Sequence, residues 1–169
     1  TREVTEVRRV LDSPEGEVPT IDCVPLVQRV AREHRRTSAS ADIETRLPDS
    51  MPVTANRDLE LAIDHLVENA ITHNPAETPR VRIRVTEAAA AGWVTIYVED
   101  DGPEIPVRER EVITGEAEIT ATQHGSGLGL WLVKWTTDLF GGDLSFAESA
   151  LGGNSVCLRL PQGERPADD

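Results

Sequence analysis

The sequence predicts an α+β fold, a two-layer α/β sandwich with helices on one face of a mixed, mostly antiparallel sheet. Apolar residues recur at helical spacing in three main segments and alternate at strand spacing in five others. Two pairs of these strands follow one another across short turns that contain glycine, as the strands of hairpins do. Because helix and strand do not alternate strictly along the chain, a doubly wound parallel sheet is excluded.

The first half of the chain is predicted to form two helices and their neighbouring strands. Residues 1–16 are expected to be the end of a preceding helical segment or a linker. Asp22 is predicted to cap a helix over about 24–36, and Asn56 a longer helix over about 58–73. Short extended segments are predicted beside these helices, over 18–21, over 41–47 and at Val53.

The second half is predicted to form two hairpins around a long irregular segment. Alternating apolar residues predict strands over 80–86, 93–99, 143–148 and 153–160. A third helix is predicted over 127–140, with the apolar pattern Leu128, Leu132, Trp135, Leu139 and Phe140. Residues 100–126 show little regular pattern apart from a short helix near 107–113. Residues 162–169 are expected to be a disordered tail.

The composition excludes several classes of function. The chain of 169 residues is long enough for one globular domain whose core needs no disulfide. Its net charge of −13 argues against a nucleic-acid partner, which would require basic patches. No apolar run approaches the length of a membrane span, so we expect a cytoplasmic segment without membrane contact of its own. A membrane tether through upstream segments stays an open alternative.

Two residue types, lysine and cysteine, are notable for their scarcity. Lys134 is the only lysine, and the other basic side chains are arginines. Such an acidic, lysine-poor composition is typical of proteins from salt-loving archaea, with drift toward GC-rich codons as the alternative. Cys23 and Cys157 are far apart among apolar residues, so we expect buried free thiols rather than a disulfide or a metal site.

Three glycines at alternate positions precede the third helix, in the run His124-Gly125-Ser126-Gly127-Leu128-Gly129-Leu130. Glycine backbone lets a ligand approach closely, and a helix N-terminus offers free N–H groups to a phosphate. A turn that only joins two elements is the alternative, and the loop alone does not decide between the two. The absence of a Gly-Lys-Ser/Thr ending excludes a P-loop, and Leu130 at the sixth position excludes the dinucleotide fingerprint.

Two further groups of polar residues are candidates for a site. His65, Asn69 and His73 follow one face of the second helix at intervals of four residues. An asparagine oxygen suits Mg²⁺, whereas zinc would need further ligands; a solvated polar face is the alternative. Asp100 ends a strand before Asp101-Gly102-Pro103, and a buried carboxylate there would accept a hydrogen bond from an exocyclic amino group, although an ordinary turn has the same pattern.

These three features in this order resemble the ATP-binding domain of sensor histidine kinases, with the two-layer Bergerat fold that gyrase, Hsp90 chaperones and mismatch-repair ATPases also have. The segment from Glu68 to His73 is similar to the family's N box. Asp100 to Pro106 and Gly125 to Leu130 are similar to its first and second glycine boxes. The resemblance covers residues 17–161, nearly the whole chain, and the pattern also resembles haloarchaeal members.

The resemblance implies a role for each matching residue. Asn69 would be the catalytic residue that holds Mg²⁺, with His73 near the nucleotide. Asp100 would receive the adenine amino group of ATP, and Gly102 and Ile105 would lie beside the base. The phosphates would be held by the second glycine box: His124, Gly125, Ser126, Gly127, Leu128, Gly129 and Leu130. Residues 107–124 would form a mobile lid, and Trp131 is expected to pack in the core.

The same resemblance indicates which reaction to expect. Hydrolytic relatives carry a glutamate four residues before the magnesium asparagine, and the serine kinases of the superfamily also tend to carry an acid there; this position is His65 here. Transfer of the γ-phosphoryl group to a histidine is therefore predicted, since an imidazole needs less activation than water or serine. Thr72 and Glu104 depart from the family pattern, in which a basic residue and a glycine are common. A catalytically silent nucleotide-binding module and an anti-sigma-type serine kinase stay as alternatives.

The partners implied by the resemblance lie outside this chain. The substrate histidine is expected on a separate helical dimerisation domain, with a response regulator downstream. His34 is expected to be a surface histidine rather than a phosphoacceptor, because no proline follows it and no partner helix is evident. The isolated domain is expected to be a monomer that binds Mg-ATP and does not phosphorylate itself.

Overall fold

The computed structural model describes residues 18–87, 91–103 and 126–163, and for residues 126–129 it describes the backbone only. Its helices are α1 (Cys23–Thr37), α2 (Asp58–Thr72) and α3 (Ser126–Leu139). Its strands are β1 (Thr20–Asp22), β2 (Asp42–Arg46), β3 (Pro52–Thr54), β4 (Arg80–Glu87), β5 (Trp93–Asp100), β6 (Asp143–Glu148) and β7 (Asn154–Pro161). The predictions for residues 1–16, for the lid and for Ile105, His124 and Gly125 lie outside the described residues.

The main sheet has five strands in the order β2-β4-β5-β7-β6. Only β2 and β4 run parallel, and the other three pairs are antiparallel. A separate two-stranded ribbon joins β1 to β3. Alternate residues of β4, β5 and β7 are buried in one core with the inward faces of the helices, so the sheet has one helix-covered face. The predicted α+β sandwich with a mixed, mostly antiparallel sheet is confirmed.

The cap predicted at Asp22 is confirmed. The Asp22 carboxylate accepts a hydrogen bond from the Val24 N–H at 3.0 Å and another from the Met51 N–H at 3.0 Å, so it also joins α1 to the residue before β3. At the start of α2 the N-cap is Arg57 rather than Asn56, although the Asn56 side chain accepts from the Asp58 N–H at 2.8 Å. α2 contacts α1, α3 and strands β4 and β5, which makes it the central helix of the layer.

The apolar face predicted for α3 was wrong in part: Leu132 and Phe140 are buried as predicted, whereas Trp135 and Leu139 are not. The buried residues of this segment are Leu130, Leu132, Val133, Thr136, Thr137 and Phe140. Trp135 and Leu139, assigned to the apolar face, are 37% and 45% exposed, and Trp131 is only half-buried. Two buried threonines explain the error, because their hydroxyls suggest a polar face. Thr137 satisfies its hydroxyl by donating to the Val133 carbonyl at 2.6 Å.

Two smaller predictions are also corrected. Cys23 is buried, and burial raises the pKa of its thiol to about 12, but Cys157 is only half-buried because it lies on the face of the sheet away from the helices. The tail does not begin at residue 162: the Gln162 N–H donates to the Gly92 carbonyl at 2.8 Å, and the Gly163 N–H donates to the Pro52 carbonyl at 3.0 Å. The rest of the predicted tail, residues 164–169, lies outside the described residues.

His34 is not a surface histidine. It is buried between α1 and α2, and its Nε2 atom lies 2.7 Å from the Asp64 Oδ1 atom. The partner lies 30 residues further along the chain, so no local pattern around His34 could indicate it. The pair joins α1 to the helix that carries Asn69, and this contact supports a structural role for His34.

Candidate functional site

The polar row on α2 changes in burial along the helix. His65 is buried, Asn69 is half-buried and His73 is exposed at the end of the helix. A fully solvated polar face is therefore excluded. The Nδ2 atom of Asn69 is buried and has no hydrogen-bond partner within the described ranges. A buried amide without a partner costs free energy, so its retention indicates a function other than stability.

Asp100 lies at the end of β5, and its carboxylate is held in one orientation. Its Oδ1 atom accepts hydrogen bonds from the Gly102 N–H at 2.9 Å, from the Asn154 N–H at 3.1 Å and from the Asn154 side-chain amide at 3.2 Å. Within the described part of the chain, no hydrogen bond reaches its Oδ2 atom. The carboxylate is buried, and this burial raises its pKa, while the donors from Asn154 and Gly102 act in the opposite direction. One oxygen is therefore occupied by the protein and the other is left for a ligand.

A side-chain contact connects the end of α2 with the turn after β5. The buried Asn74 donates from Nδ2 to the Asp101 Oδ1 atom at 2.6 Å, and the same oxygen accepts from the Arg80 N–H at 3.0 Å. Gly102 lies against this contact, since a Cβ at Gly102 would come 3.3 Å from the side chain of Asn74. The helix of Asn69 and the turn of Asp100 are thereby joined in one region of the molecule.

Sequence reasoning missed two residues of this region, Gly153 and Asn154. The Asn154 side chain donates both to Asp100 and to the Pro103 carbonyl, the latter at 2.7 Å. A Cβ at Gly153 would lie 2.6 Å from the backbone oxygen and from Oδ1 of Asp100, so this position excludes any side chain. The only sequence signal was the glycine pair before β7, and its contact with Asp100 depends on the pairing of β5 with β7.

An ion-pair cluster supports β5 from the neighbouring strand. The Glu99 carboxylate is almost fully buried and accepts from the Arg82 Nε–H at 3.0 Å and from the Arg84 Nε–H at 2.6 Å. Burial raises the pKa of Glu99, but the hydrogen bonds from the two guanidinium groups outweigh it and hold this pKa below its usual value. The cluster fixes the backbone next to Asp100.

The glycine loop leads directly into α3, as predicted. Ser126, Gly127, Leu128 and Gly129 form the first turn of the helix, where backbone N–H groups have no partner within the helix. Leu130 is buried in the core, so its side chain anchors the loop and only its backbone could face a ligand. α3 packs against α2, the helix that carries Asn69.

The described ranges show neither a metal cluster nor a membrane-spanning helix. No group of three or more histidine, cysteine or carboxylate side chains there could hold a metal ion. No helix in those ranges is both long enough and apolar enough to cross a membrane.

A family model described as histidine kinase-, DNA gyrase B- and HSP90-like ATPase matches residues 54–164. The chain belongs to this family. The match includes Asn69, Asp100 and the glycine loop, so it covers each of the three features from which the family was predicted, and the prediction is confirmed.

Relatives in this ATPase family include sensor kinases. The sensor-type histidine kinase PrrB of Mycobacterium tuberculosis is 32% identical over 154 residues, which cover 89% of this chain and 33% of PrrB. The two-component sensor PhoQ of Pseudomonas aeruginosa is 36% identical over 112 residues, or 66% of this chain and 23% of PhoQ. The chain therefore spans about a third of PrrB, and less of PhoQ.

Solved structures of the family agree with the fold. The ATP-binding domain of PrrB from Mycobacterium tuberculosis superposes with a TM-score of 0.67 at 27% identity, covering 88% of this chain and all of that one. The mycobacterial sensor histidine kinase MprB superposes with a TM-score of 0.70 at 26% identity, over 85% of this chain and 97% of that one. This ATPase-family chain thus resembles one domain of a sensor kinase.

Proposed function

We propose that this chain is the Mg-ATP-binding catalytic domain of a two-component sensor histidine kinase, which transfers the γ-phosphoryl group of ATP to a histidine on a separate domain. The observation that carries the proposal is the geometry at Asp100. Its Oδ1 atom is saturated by three N–H donors, and Oδ2 is left for a ligand amino group. Membership of the ATPase family and similarity to PrrB support the same reading.

Adenine is the base that this carboxylate selects. Its exocyclic amino group can donate to the Oδ2 atom of Asp100, whereas guanine presents a carbonyl oxygen at the same ring position and would meet the carboxylate with repulsion. A donor from the base also stabilises the charged form of a carboxylate whose pKa burial has raised. Glycine is favoured at position 102 because a Cβ there would come 3.3 Å from the side chain of Asn74.

Magnesium would be held by Asn69 through its side-chain oxygen, together with phosphate oxygens and water. Among the described residues the Nδ2 atom of Asn69 has no hydrogen-bond partner, so the amide is not held in another contact there and can direct its oxygen toward the ion. The ion would neutralise charge on the phosphates as the phosphoryl group leaves. The first-turn N–H groups of α3, at Gly127, Leu128 and Gly129, would hold the phosphate oxygens.

The chain does not need a general base for this reaction. An imidazole nitrogen attacks the γ-phosphorus with its own lone pair while the bond to the bridging oxygen breaks, giving phosphohistidine and ADP. Positioning and charge neutralisation supply most of the acceleration in such a transfer. His65 occupies the position four residues before Asn69, and it is buried, so it is poorly placed to activate water or a serine hydroxyl. An ATPase and a serine kinase are therefore disfavoured.

The proposal is tested by calorimetric titration of the chain with ATP and with GTP in the presence of Mg²⁺. Asp100→Asn is the informative variant. Because three N–H donors require an oxygen at the Oδ1 position, the new NH₂ group must replace Oδ2 and will oppose the adenine amino group. We expect ATP affinity to fall about tenfold or more while the preference for ATP over GTP shrinks.

Asp101→Asn is the matched control for that titration. Its Oδ1 atom serves Asn74 and Arg80 and has no part in base recognition, so this variant should keep the ATP affinity of the parent. If the parent chain binds neither nucleotide, or if Asp100→Asn keeps the full preference for ATP, the proposed function is wrong.

A further inference from the structure

The residue that follows the C-terminal cap of α2 is an asparagine, and its side chain is buried. Asn74 is 8% exposed, and both ends of its side-chain amide have a partner. Its Nδ2 atom donates to the Asp101 Oδ1 atom at 2.6 Å, and its Oδ1 atom accepts from the Ala76 N–H at 3.0 Å. Because a carboxylate requires the NH₂ group and a backbone N–H requires the carbonyl oxygen, these two partners fix the orientation of the amide.

Backbone hydrogen bonds connect Asn74 to the last turn of α2. The His73 N–H donates to the Asn69 carbonyl at 3.0 Å, and the Asn74 N–H donates to the Ile71 carbonyl at 3.3 Å. The main chain is thus held continuously from Asn69 to Asn74. A change in the position of Asn74 would therefore be transmitted to the residue that carries the unpartnered amide.

The other side of the Asn74 contact is the turn that follows β5. Asp101 is the chain neighbour of Asp100, so the oxygen that accepts from Asn74 belongs to the same turn as the base-binding carboxylate. A Cβ at Gly102 would lie 3.3 Å from three atoms of the Asn74 side chain, so this turn lies against the amide. The hydrogen bond between Asn74 and Asp101 therefore joins the segment of Asn69 to the segment of Asp100.

In the proposed function these two segments hold opposite ends of one ligand. Asn69 would hold Mg²⁺ at the phosphates, and Asp100 would accept from the adenine amino group. A fragment of the nucleotide can form either contact alone. ATP gains from both contacts at once only when the spacing of the two sites matches its own length.

We propose that Asn74 is a positioning residue that acts through Asp101 and sets the spacing between the magnesium site and the adenine site. This inference rests on the proposed function and assigns a further residue to the same site. The hydrogen bond from Asn74 is short and has a carboxylate as its acceptor, so it is stronger than a contact between two neutral groups. A stronger contact keeps the two sites at one spacing before the nucleotide binds.

The test compares calorimetric titrations with adenosine and with ATP, both in the presence of Mg²⁺, for the parent chain and for Asn74→Ala. Adenosine should bind the variant within about twofold of the parent affinity, because Asp100 keeps its hydrogen bonds from Gly102 and Asn154. ATP affinity should fall about tenfold, since base and phosphates no longer reach their sites together. The readout is the ratio of the ATP affinity to the adenosine affinity, which a residue that acts on stability alone would leave unchanged.

Asn56→Ala is the matched control for Asn74→Ala. It also removes an asparagine side chain that accepts a backbone hydrogen bond, here from the Asp58 N–H at 2.8 Å, at the opposite end of the same helix. Thermal unfolding should show a loss of stability in both variants. Asn56→Ala should nevertheless keep the affinity ratio of the parent.

Asn74→Ser is a second variant that removes less of the side chain. Its hydroxyl can accept from the Ala76 N–H, as serine does in turns, but it is about one bond shorter than the amide and does not reach Asp101. It should lower the affinity ratio about as much as Asn74→Ala does, with a smaller loss of stability. Adding Asp101→Ala to Asn74→Ser should lower the ratio by less than about twofold further, because the contact is already lost.

The two proposals fail in different ways. A parent chain that binds neither adenosine nor ATP refutes the proposed function, and the positioning role is refuted with it. When the parent binds both ligands, an unchanged affinity ratio in Asn74→Ala and Asn74→Ser overturns the positioning role alone. An equal fall of the ratio in Asn56→Ala, or additive losses from Asn74→Ser and Asp101→Ala, would overturn it as well.

Discussion

Substitutions at two adjacent glycines before β7, Gly152 and Gly153, can separate an effect on ATP binding from an effect on stability. At Gly153 an added Cβ would lie 2.6 Å from the backbone oxygen and Oδ1 atom of Asp100, and 2.7 Å from the Gly102 nitrogen. These distances are about 1 Å shorter than ordinary non-bonded contact, and two of the three atoms belong to backbone. Gly153→Ala must therefore displace the Asp100 carboxylate or the turn that follows it.

The size of the effect follows from the hydrogen bond that is lost. A hydrogen bond to a charged group contributes about 1.5–3 kcal/mol, so a misplaced Asp100 should weaken ATP binding about ten- to a hundredfold. Overpacking should also lower the free energy of unfolding by about 1–3 kcal/mol. Calorimetric titration with Mg-ATP and thermal unfolding measure the two effects separately.

Gly152→Ala is the control for this experiment. Gly152 has a φ of +101°, so alanine is strained there by about 1–2 kcal/mol, but a Cβ at this position meets no atom within 4 Å. This variant should lose stability and keep its ATP affinity. The reasoning is refuted if folded Gly153→Ala binds ATP as tightly as the parent, or if both variants lose affinity equally.

Three other predictions follow from the same structure. Asn69→Ala should abolish the Mg²⁺ dependence of ATP affinity without loss of stability, because the amide that it removes has a buried Nδ2 atom with no partner among the described residues. ATP titrations with and without Mg²⁺ measure the first effect, and chemical unfolding measures the second. Glu99→Gln should lower the free energy of unfolding by about 3 kcal/mol, since Arg82 and Arg84 lose their buried partner. The pKa of Glu99 is lower in the folded state than in the unfolded state. The stabilisation from its ionisation is therefore complete above the unfolded-state pKa and is lost as the pH falls through the folded-state pKa. Urea titrations down to about pH 3 should find a weaker acid dependence of the unfolding free energy in Glu99→Gln than in the parent. The net charge of −13 predicts unfolding on transfer from molar to low salt, and unchanged stability would count against a halophilic origin.

The features that the sequence could predict are those carried by local patterns. The spacing of apolar residues identified the helices and strands, and the hydrogen bonds that Asp22 and Asn56 accept at the starts of α1 and α2 join close neighbours in the chain. The three motifs could be recognised because each occupies a continuous stretch, and their order along the chain indicated the family that the comparisons confirm.

The features that it could not predict depend on contacts between distant residues. Asn154 reaches Asp100 across 54 positions, and only the pairing of β5 with β7 brings them together. His34 was misjudged for the same reason, since its partner Asp64 belongs to another helix. The alternation of β5 predicted a strand, but it did not reveal that Glu99, on the polar side, is a buried anchor for two arginines.

The exposed side of α3 illustrates a different limit of prediction from sequence. Tryptophan and leucine at helical spacing usually indicate a core face, and Thr136 and Thr137 usually indicate a solvent face. In α3 these assignments are reversed, because the threonines are buried and Trp135 and Leu139 are exposed. Such a reversal becomes visible only when burial is known.

The central claim is tested most directly by incubating the chain with γ-labelled ATP, Mg²⁺ and a separately expressed histidine-bearing domain. We expect acid-labile label on that domain, no label on the chain itself, and loss of transfer in Asn69→Ala. Label on the chain itself, or an unlabelled histidine-bearing domain in the presence of bound ATP, would contradict the assignment as the catalytic domain of a histidine kinase.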